Sequence, residues 1–235
     1  LDELIGEDML AEILSYNQNN NNIKIKPQYI LVFDTETTGL IPKGSQSIWS
    51  LTSEELATYP YITQLSAVLY DVANNKLEQV FNTYIKIPDH VEIPQIVTDI
   101  TGITREKCDG GMNIVDALNA FHALWEKSET LIAHNMWFDS KMIMLEYKRN
   151  KMYCDVFKDK DALFCTMIQG MRHIGANRFI KLSYLHEHMF GQLDDNVQLH
   201  DSLVDTMVCL RCYLALQCGI KMTDKEFYSY TTDMR

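Results

Sequence analysis

Two carboxylates end a strongly apolar segment near the start of the chain. The stretch YILVFDTETTGL at 29–40 opens with five apolar or aromatic residues and continues with Asp34 and Glu36. Side chains alternate between faces along a strand, so these two acids share one face while Thr35 points to the other. Two such charges about 4 Å apart repel by roughly 4 kcal/mol at an effective dielectric near 20, so the pair requires a cation, a shared proton or open water.

Two further acids follow apolar surroundings later in the chain. Asp139 comes after TLIA at the start of a helical pattern, and Asp205 lies between Val204 and Met207 in a late one. Ordinary explanations are a helix-start acid favoured by the dipole for Asp139 and a solvated helix position for Asp205. If all four acids converge, divalent cations must neutralise them, because carboxylate oxygens suit Mg²⁺ or Mn²⁺. Two such ions about 3.5–4 Å apart would activate a water and stabilise the leaving oxygen of a phosphodiester.

Two histidines stand five residues before two of these acids. His200 precedes Asp205, and His134 precedes Asp139 by the same interval. An imidazole ordinarily titrates near pH 6.5, so His200 could take a proton from the activated water. The spacing alone leaves both histidines open, because either is also explained as a capping or core residue.

The composition limits the class of protein. The chain has 235 residues, 46% of them hydrophobic, which fits either one globular domain of generous size or a domain with appendages. Its formal net charge of −11 argues against binding nucleic acid through a broad positive surface. There is no long apolar run or basic leader, so no membrane span, signal peptide or membrane partner is predicted. Because the chain starts at Leu1, a trimmed targeting segment stays open. The six scattered cysteines favour buried free thiols and an intracellular, reducing compartment, either cytoplasm or nucleus.

Strand and helix patterns outline an α/β domain between two extensions. Residues 2–16 predict a helix and the NQNNNN tract at 17–22 a linker; the helix is either a docking element for a protein partner or a poorly ordered extension. Three strand patterns with short connections predict an antiparallel meander, after which helices and strands alternate, the last predicted helix ending at Gly219. We therefore predict an α/β fold with a mixed sheet, in which the meander is joined by parallel strands and flanked by helices.

Three segments in this order, FDTETTG, AHNMWFD and HDSLVD, resemble the motifs of the DEDD superfamily in its histidine-containing branch (DEDDh), the DnaQ-like 3′–5′ exonucleases. The resemblance covers about residues 29–217 and includes DITGITREK and KLSYLHEHMFG as lesser features. It implies a ribonuclease H-like fold and metal-dependent release of nucleoside monophosphates from a 3′ end, with a single strand as the expected substrate. The implied divisions are an extension and linker at 1–27, an exonuclease domain at 28–219 and an extension at 220–235.

The resemblance also assigns roles to single residues. It implies that two Mg²⁺ or Mn²⁺ ions are held by Asp34, Glu36, Asp139 and Asp205. His200 becomes the general base, and His134 only its neighbour. The residues implied at the terminal nucleotide are Thr37, Thr38, Gly39, Leu40, Thr101, Gly102, Asn135 and Phe138.

The chain departs from the family pattern at two of these segments. Ser202 stands where alanine is common, a small change that should leave the histidine in place, and Thr101 replaces a frequent histidine, which puts one substrate contact in doubt. The segment at 41–60 is either a substrate-shaping lid or a surface loop. Basic side chains that either contact phosphate or form a solvated face are Lys141, Lys148, Arg149, Lys151, Arg172, Arg178 and Lys181.

Several functions stay open within the resemblance. DNA is slightly favoured over RNA, in proofreading or repair, and an RNA-trimming 3′–5′ exoribonuclease is an alternative. A catalytically idle nucleic-acid-binding or scaffolding module is another, although an idle domain has no physical need for a costly cluster of acids. Strand preference and oligomeric state stay undetermined by the sequence.

Overall fold

The computed structural model describes residues 27–42, 47–194 and 197–232, so the helix and linker predicted at 2–16 and 17–22 lie outside the described residues. The strands of the described part are β1 (Tyr29–Thr37), β2 (Ile62–Asp71), β3 (Lys76–Tyr84), β4 (Thr130–Ala133) and β5 (Leu163–Cys165). They form one sheet in the order β3-β2-β1-β4-β5. The β1–β2 and β2–β3 pairs are antiparallel, and the β1–β4 and β4–β5 pairs are parallel. The predicted meander with added parallel strands is confirmed.

Helices cover both faces of this sheet. In chain order they are α1 (Ser53–Ala57), α2 (Gln95–Thr101), α3 (Arg105–Asp109), α4 (Ile114–Trp125), α5 (Met136–Arg149), α6 (Thr166–Ile174), α7 (Leu182–Phe190), α8 (Ser202–Tyr213) and α9 (Asp224–Thr232). The sequence patterns do not predict α2, α3 or α9. Helices α2 and α3 have seven and five residues, too few to show a helical period. No helix of the described residues is long and apolar enough to cross a membrane.

The alternation of β1 divides the interior into two cores. Leu31 and Phe33 pack with α4 and α5 on one face, whereas Ile30 and Val32 pack with α8 on the other. Both faces of β1 and β2 are therefore apolar over most of their length, as expected for strands buried between two helical layers. Asp34 and Glu36 follow Ile30 and Val32 at two-residue intervals, so they lie on the face of β1 that packs against α8.

The C-terminal helix is part of the α8 core. Phe227 of α9 is fully buried there, and the guanidinium of Arg211, 2% exposed, donates to the Met222 carbonyl and to the Asp224 carboxylate. Arg211 also donates to Nε2 of His186 at 3.0 Å. Burial, and then the nearby Arg211 charge, lowers the pKa of His186 to about 4, so this imidazole is a neutral acceptor. The domain limits at 28 and 219 stay a prediction.

All six cysteines are buried and free, as predicted: Cys108, Cys154, Cys165, Cys209, Cys212 and Cys218. Burial raises the pKa of the Cys212 thiol to about 12 and that of the Cys154 thiol to about 11. These thiols are small apolar core residues in the structure. The reducing compartment stays a prediction.

Two of the basic residues considered for phosphate contacts are used inside the fold. The Lys148 ammonium donates to the carbonyl oxygens of Ile48 and Trp49 at 2.8 and 2.7 Å. The Arg149 guanidinium donates to three further carbonyl oxygens at 2.7–3.1 Å, those of Leu56, Tyr59 and Pro60. The interpretation of these two side chains as phosphate ligands or a solvated face is therefore wrong. They anchor the described part of the 41–60 segment to the end of α5.

A buried carboxylate completes this anchor. Glu146 is 3% exposed, pairs with Arg149 at 2.5 Å and accepts the backbone N–H of Ile62 at 3.3 Å. The guanidinium also stacks on the ring of Tyr61, 3.9 Å from its centroid. Tyr61 exchanges hydrogen bonds with Thr38, so the end of α5 is tied to the segment that follows β1.

We predict that Arg149→Met lowers the free energy of unfolding by roughly 3–5 kcal/mol, because it leaves Glu146 as a buried charge without its partner. Adding Glu146→Gln should recover part of the loss, since the remaining group is then uncharged. Urea denaturation of both variants measures this, with Lys151→Met, at an exposed position, as the control. An Arg149→Met midpoint equal to that of the unaltered protein would contradict the anchor.

Candidate active site

The two acids of β1 lie opposite polar residues of β2. In the antiparallel register Asp34 pairs with Ser66, and Glu36 pairs with Gln64. Because side chains alternate along β1, both carboxylates project toward α8, on the same side as Val32. The shared face predicted for these two acids is confirmed.

Asp139 contacts β1 at Thr35, whose side chain lies on the face opposite to Asp34 and Glu36. It lies in the first turn of α5, which begins after Asn135 takes a left-handed backbone conformation with a φ of 76°. Its carboxylate is 2% exposed, and Oδ1 accepts the Thr35 hydroxyl at 2.8 Å and the Thr35 backbone N–H at 3.1 Å. Thr35 therefore holds Asp139 against β1. The sequence predicted only that the Thr35 side chain faces away from Asp34 and Glu36.

Asp205 and His200 are joined at the start of α8. Asp205 lies in the first turn of that helix, and its Oδ2 accepts the backbone N–H of His200 at 3.1 Å. The bond closes a turn in which His200 has a φ of 67°, a conformation that residues other than glycine rarely adopt. Oδ1 of Asp205 is buried and has no hydrogen-bond partner among the described residues.

All five residues predicted for metal binding and proton transfer meet at one edge of the sheet. Ligand atoms of Glu36, His200 and Asp205 lie within 4.8 Å of one another. Asp34 and Asp139 adjoin them, because the charges of Glu36 and Asp205 raise the pKa of Asp34, and the charge of Asp139 raises the pKa of Glu36. The roles of the five residues stay predictions, but their convergence is a property of the fold.

Burial raises the pKa of every carboxyl in this cluster, and the neighbouring acids raise those of Asp34 and Glu36 further. The pKa lies well above its usual range for Asp34, at about 9 for Glu36 and at about 7 for Asp139 and Asp205. Hydrogen bonds from Thr35 and from the His200 backbone oppose the rise in the last two. Without added positive charge, the cluster therefore retains protons near neutral pH. Hard oxygen donors with an unpartnered buried oxygen fit a divalent cation.

Asp201 is a fifth acid at the site that sequence reasoning missed. Its Oδ1 accepts the backbone N–H groups of Leu203 and Val204 at 3.0 and 3.3 Å, which caps α8. Its charge also raises the pKa of Glu36 and Asp205. An aspartate immediately before a helical pattern is a common N-cap, and that signal could have identified it.

His134 is a structural residue. Burial lowers its pKa to about 4, and both ring nitrogens are occupied. Nδ1 lies 3.0 Å from the Thr166 hydroxyl, and Nε2 lies 3.0 Å from the Ile180 carbonyl, to which it must donate. This imidazole has no free nitrogen with which to accept a proton from a water, so of the two histidines only His200 is placed for that role.

The segment after β1 is tightly built but open on one side. The Thr37 hydroxyl donates to the Gly39 carbonyl at 2.7 Å, and the Thr38 backbone N–H donates to the Tyr61 carbonyl at 2.9 Å. A Cβ on Gly39 would meet nothing of the described chain within 4 Å, and Leu40 is 76% exposed. The predicted nucleotide-binding residues here thus border free space beside the acids.

The other predicted substrate residues lie on two helix ends. The Thr101 hydroxyl is used internally, donating to Val97 and accepting from Ile103, while Gly102 ends α2 with a φ of 68°. The added Cβ at Gly102 would lie 3.8 Å from Gln198, two residues before His200. At the start of α5, the side-chain oxygen of Asn135 is buried without a partner among the described residues, and Phe138 packs on the core.

A family model described as Exonuclease (RNase_T) matches residues 31–213. The DNA polymerase III PolC-type protein of Oceanobacillus iheyensis is 28% identical over 136 residues, which is 58% of this chain and 8% of that protein. The DNA polymerase III subunit epsilon-like protein of Rhodobacter capsulatus is 28% identical over 191 residues, 81% of this chain and 24% of that protein. ERI1 exoribonuclease 2 of Xenopus laevis is 27% identical over 100 residues, 43% of this chain and 13% of that protein. The chain thus spans at most 24% of the length of these relatives.

Solved structures share the fold. The nuclease domain of 3′hExo, described as a DEDDh family member bound to rAMP, has a TM-score of 0.61 at 16% identity, covering 85% of this chain and 98% of that one. E. coli Exonuclease I in complex with a dA16 oligonucleotide has a TM-score of 0.57 at 17% identity, covering 82% of this chain and 42% of that one. The likeness confirms the predicted ribonuclease H-like arrangement of a mixed sheet between helices.

We predict that the protein in excess chelator loses stability as pH rises toward about 9, because Glu36, Asp139 and Asp205 keep protons in the folded state at pH values where the unfolded chain has lost them. Between pH 7 and pH 9 the decline comes from Glu36, since Asp139 and Asp205 have lost most of their contribution by about pH 7. Their folded pKa values are raised, so the stabilisation is complete below their ordinary values near 4 and is lost as pH rises through about 7 and 9. His134 and His186 are neutral in both states in this window.

Thermal denaturation at several pH values measures the effect. Excess Mn²⁺ should remove most of the decline, because the cation binds the ionised cluster only in the folded state. Asp205→Asn should weaken both the decline and its reversal, whereas Glu92→Gln, at an exposed position, should change neither. A melting temperature in chelator that is constant from pH 7 to 9 would contradict the raised pKa of Glu36.

Proposed function

The chain belongs to the exonuclease family whose model matches residues 31–213, and on this premise we propose that it is a metal-dependent 3′–5′ exonuclease. It hydrolyses the last phosphodiester bond at a nucleic-acid 3′ end and releases a nucleoside monophosphate. The observation that carries this proposal is the meeting of four acids and His200 at one sheet edge, next to an open segment at 37–40.

The acids are proposed to hold two Mg²⁺ or Mn²⁺ ions. Their donor atoms are all carboxylate oxygens, the kind that hard divalent cations prefer. The four proposed ligands are Asp34, Glu36, Asp139 and Asp205. When bound, two such ions would supply Lewis-acid activation of water and stabilisation of the leaving oxygen. Support comes from the unpartnered Oδ1 of Asp205 and from carboxyl pKa values that only added positive charge would bring down.

His200 is proposed to act as the general base. Its ring is exposed, and a ring nitrogen lies within 4.8 Å of carboxylate oxygens of Glu36 and Asp205. In the reaction, the attacking water gives a proton to His200 while its oxygen bonds to phosphorus. The bond from phosphorus to the 3′ oxygen of the preceding nucleotide then breaks, and that oxygen leaves as the new strand end. No protein nucleophile is required.

The segment Thr37–Leu40 is proposed to receive the terminal nucleotide, together with four residues at the end of α2 and the start of α5. Gly39 leaves room for a close backbone approach, and the exposed side chain of Leu40 offers an apolar surface for a base. Gly102, which follows Thr101, lies beside Gln198, two residues before the proposed base His200. Asn135 and Phe138 complete the proposed set.

Single-stranded DNA is the proposed substrate, with proofreading or repair as the context. Two of the relatives named above are DNA polymerase III proteins, which favours DNA. RNA trimming is the second candidate, because the 3′hExo nuclease domain matches over 98% of its length and its structure contains rAMP. A protein partner for the predicted helix at 2–16 stays a proposal.

The deciding assay uses single strands of DNA and RNA with the same sequence, labelled at the 5′ end and incubated with Mn²⁺. Enzyme activity is expected to produce ladders that shorten from the 3′ end, faster on DNA. A phosphorothioate at the 3′-terminal linkage should delay the ladder. Strands that stay intact while they bind the protein would instead favour an idle binding module, and faster RNA shortening would reverse the substrate assignment.

We predict that His200→Ala lowers the rate of nucleotide release by roughly 10²–10⁴-fold, the usual contribution of a general base. Asp34→Asn should abolish release, because it removes a proposed metal ligand. His90→Ala, at an exposed position on the segment between β3 and α2, should release nucleotide at the unaltered rate. Undiminished release by the His200 variant would rule out the proposed base.

A further inference from the structure

The residues opposite the two acids of β1 are buried and polar. Gln64 and Ser66 of β2 are 1% and 0% exposed, and they pair directly with Glu36 and Asp34. Buried polar side chains are costly unless hydrogen-bonded, so their partners indicate what they hold in place.

Both side chains hold the first residue of α8. The Ser66 and Ser202 hydroxyl oxygens lie 2.6 Å apart, and the backbone N–H of Ser202 donates to Oε1 of Gln64 at 3.3 Å. Ser66 donates its single hydroxyl hydrogen to Oδ1 of Asn82 at 2.9 Å. Ser202 must therefore be the donor toward Ser66, which gives a directed chain from α8 through β2 to β3.

The amide group of Gln64 strengthens the same contact. Its Nε2 donates to Oδ1 of Asn82 at 3.0 Å and lies 3.5 Å from Oδ2 of Asp201, the residue that caps α8. Gln64 thus contacts both Asp201 and Ser202. The start of the helix is held by side chains of one strand rather than by apolar packing alone.

Asp201 and Ser202 lie between His200, which precedes α8, and Asp205, which is in the first turn of α8. His200 comes immediately before Asp201, and Asp205 follows three residues after Ser202. The bond from the His200 backbone to Asp205 closes the turn around these two residues at 3.1 Å. A shift of the helix start would therefore move the imidazole and the carboxylate together, away from the acids of β1.

We propose that Gln64 and Ser66 are positioning residues that set the separation between the β1 acids and the pair His200 and Asp205. They touch neither substrate nor reacting atoms in this role and act through Asp201 and Ser202. The inference rests on the proposed exonuclease function, but its effect on cation binding can be measured without activity.

The main variant is Gln64→Leu, which removes both contacts to the helix start and keeps similar volume. We expect the turnover rate to fall by about tenfold to 100-fold, the scale of a misplacement near 1 Å, with KM little changed. The rise in melting temperature caused by Mn²⁺ should also shrink, because Asp205 is displaced relative to Glu36.

The matched control is Thr63→Val. Thr63 lies on the same strand, is 0% exposed and faces the opposite side, and its hydroxyl has no partner among the described residues. It should keep both the turnover rate and the Mn²⁺ response, even if its melting temperature in chelator changes. Parallel losses in both variants would reduce the role of Gln64 to general stability and overturn the proposal.

A second test uses the two hydroxyl groups. Ser66→Ala leaves the buried Ser202 hydroxyl without a hydrogen-bond acceptor, so the turnover rate should fall. Adding Ser202→Ala removes that unpaired hydroxyl and should restore part of the lost turnover rate. A double variant as slow as, or slower than, Ser66→Ala would contradict action through Ser202.

The outcomes separate this inference from the proposed function. If the unaltered protein binds Mn²⁺ but releases no nucleotide, the proposed function fails, and the Mn²⁺ response of Gln64→Leu still tests the positioning role. If the unaltered protein is active and Gln64→Leu matches it in turnover and Mn²⁺ response, only the positioning role fails.

Discussion

The rest of the structure depends on the mutual repulsion of buried carboxylates at one edge of the sheet. The acids come from three elements, namely β1, the start of α5 and the start of α8. Burial and neighbouring charge raise the pKa values of the acids, so burying them destabilises the folded state. The two apolar cores on the faces of the sheet must supply the stabilisation that offsets this. Such a cluster of acids persists only if the elements that carry the carboxylates cannot move apart.

The two helices that deliver acids are each held at both ends. α5 carries Asp139 in its first turn, held by Thr35, and the Glu146–Arg149 pair at its other end. α8 starts on the β2 side chains described above and is held near its end by Arg211, which donates to the loop and helix that follow it. Hydrogen bonds from both ends of a helix to distant segments fix its position along its axis, in addition to the packing of its apolar side chains.

Local patterns predicted the elements more reliably than the side-chain partners. The three-stranded meander and the alternation of helices and strands after it agree with the structure. Helices α2 and α3 escaped prediction because seven and five residues are too few to show helical periodicity. Lys148 and Arg149 bind backbone carbonyls of a segment about 90–100 positions away in the chain, a use that charge patterning cannot reveal.

By itself, the sequence determined that Asp34 and Glu36 share a face, since strand alternation is a local property of the backbone. Its three motifs also identified the exonuclease family. Tertiary structure alone decided that the acids converge and that His134 is occupied by Thr166 and Ile180, residues 32 and 46 positions away. It also revealed Thr35, Gln64, Ser66 and Asp201 as supports of the site. These outcomes depend on how distant segments pack, and no local propensity encodes the distance between two side chains that meet only in the folded chain.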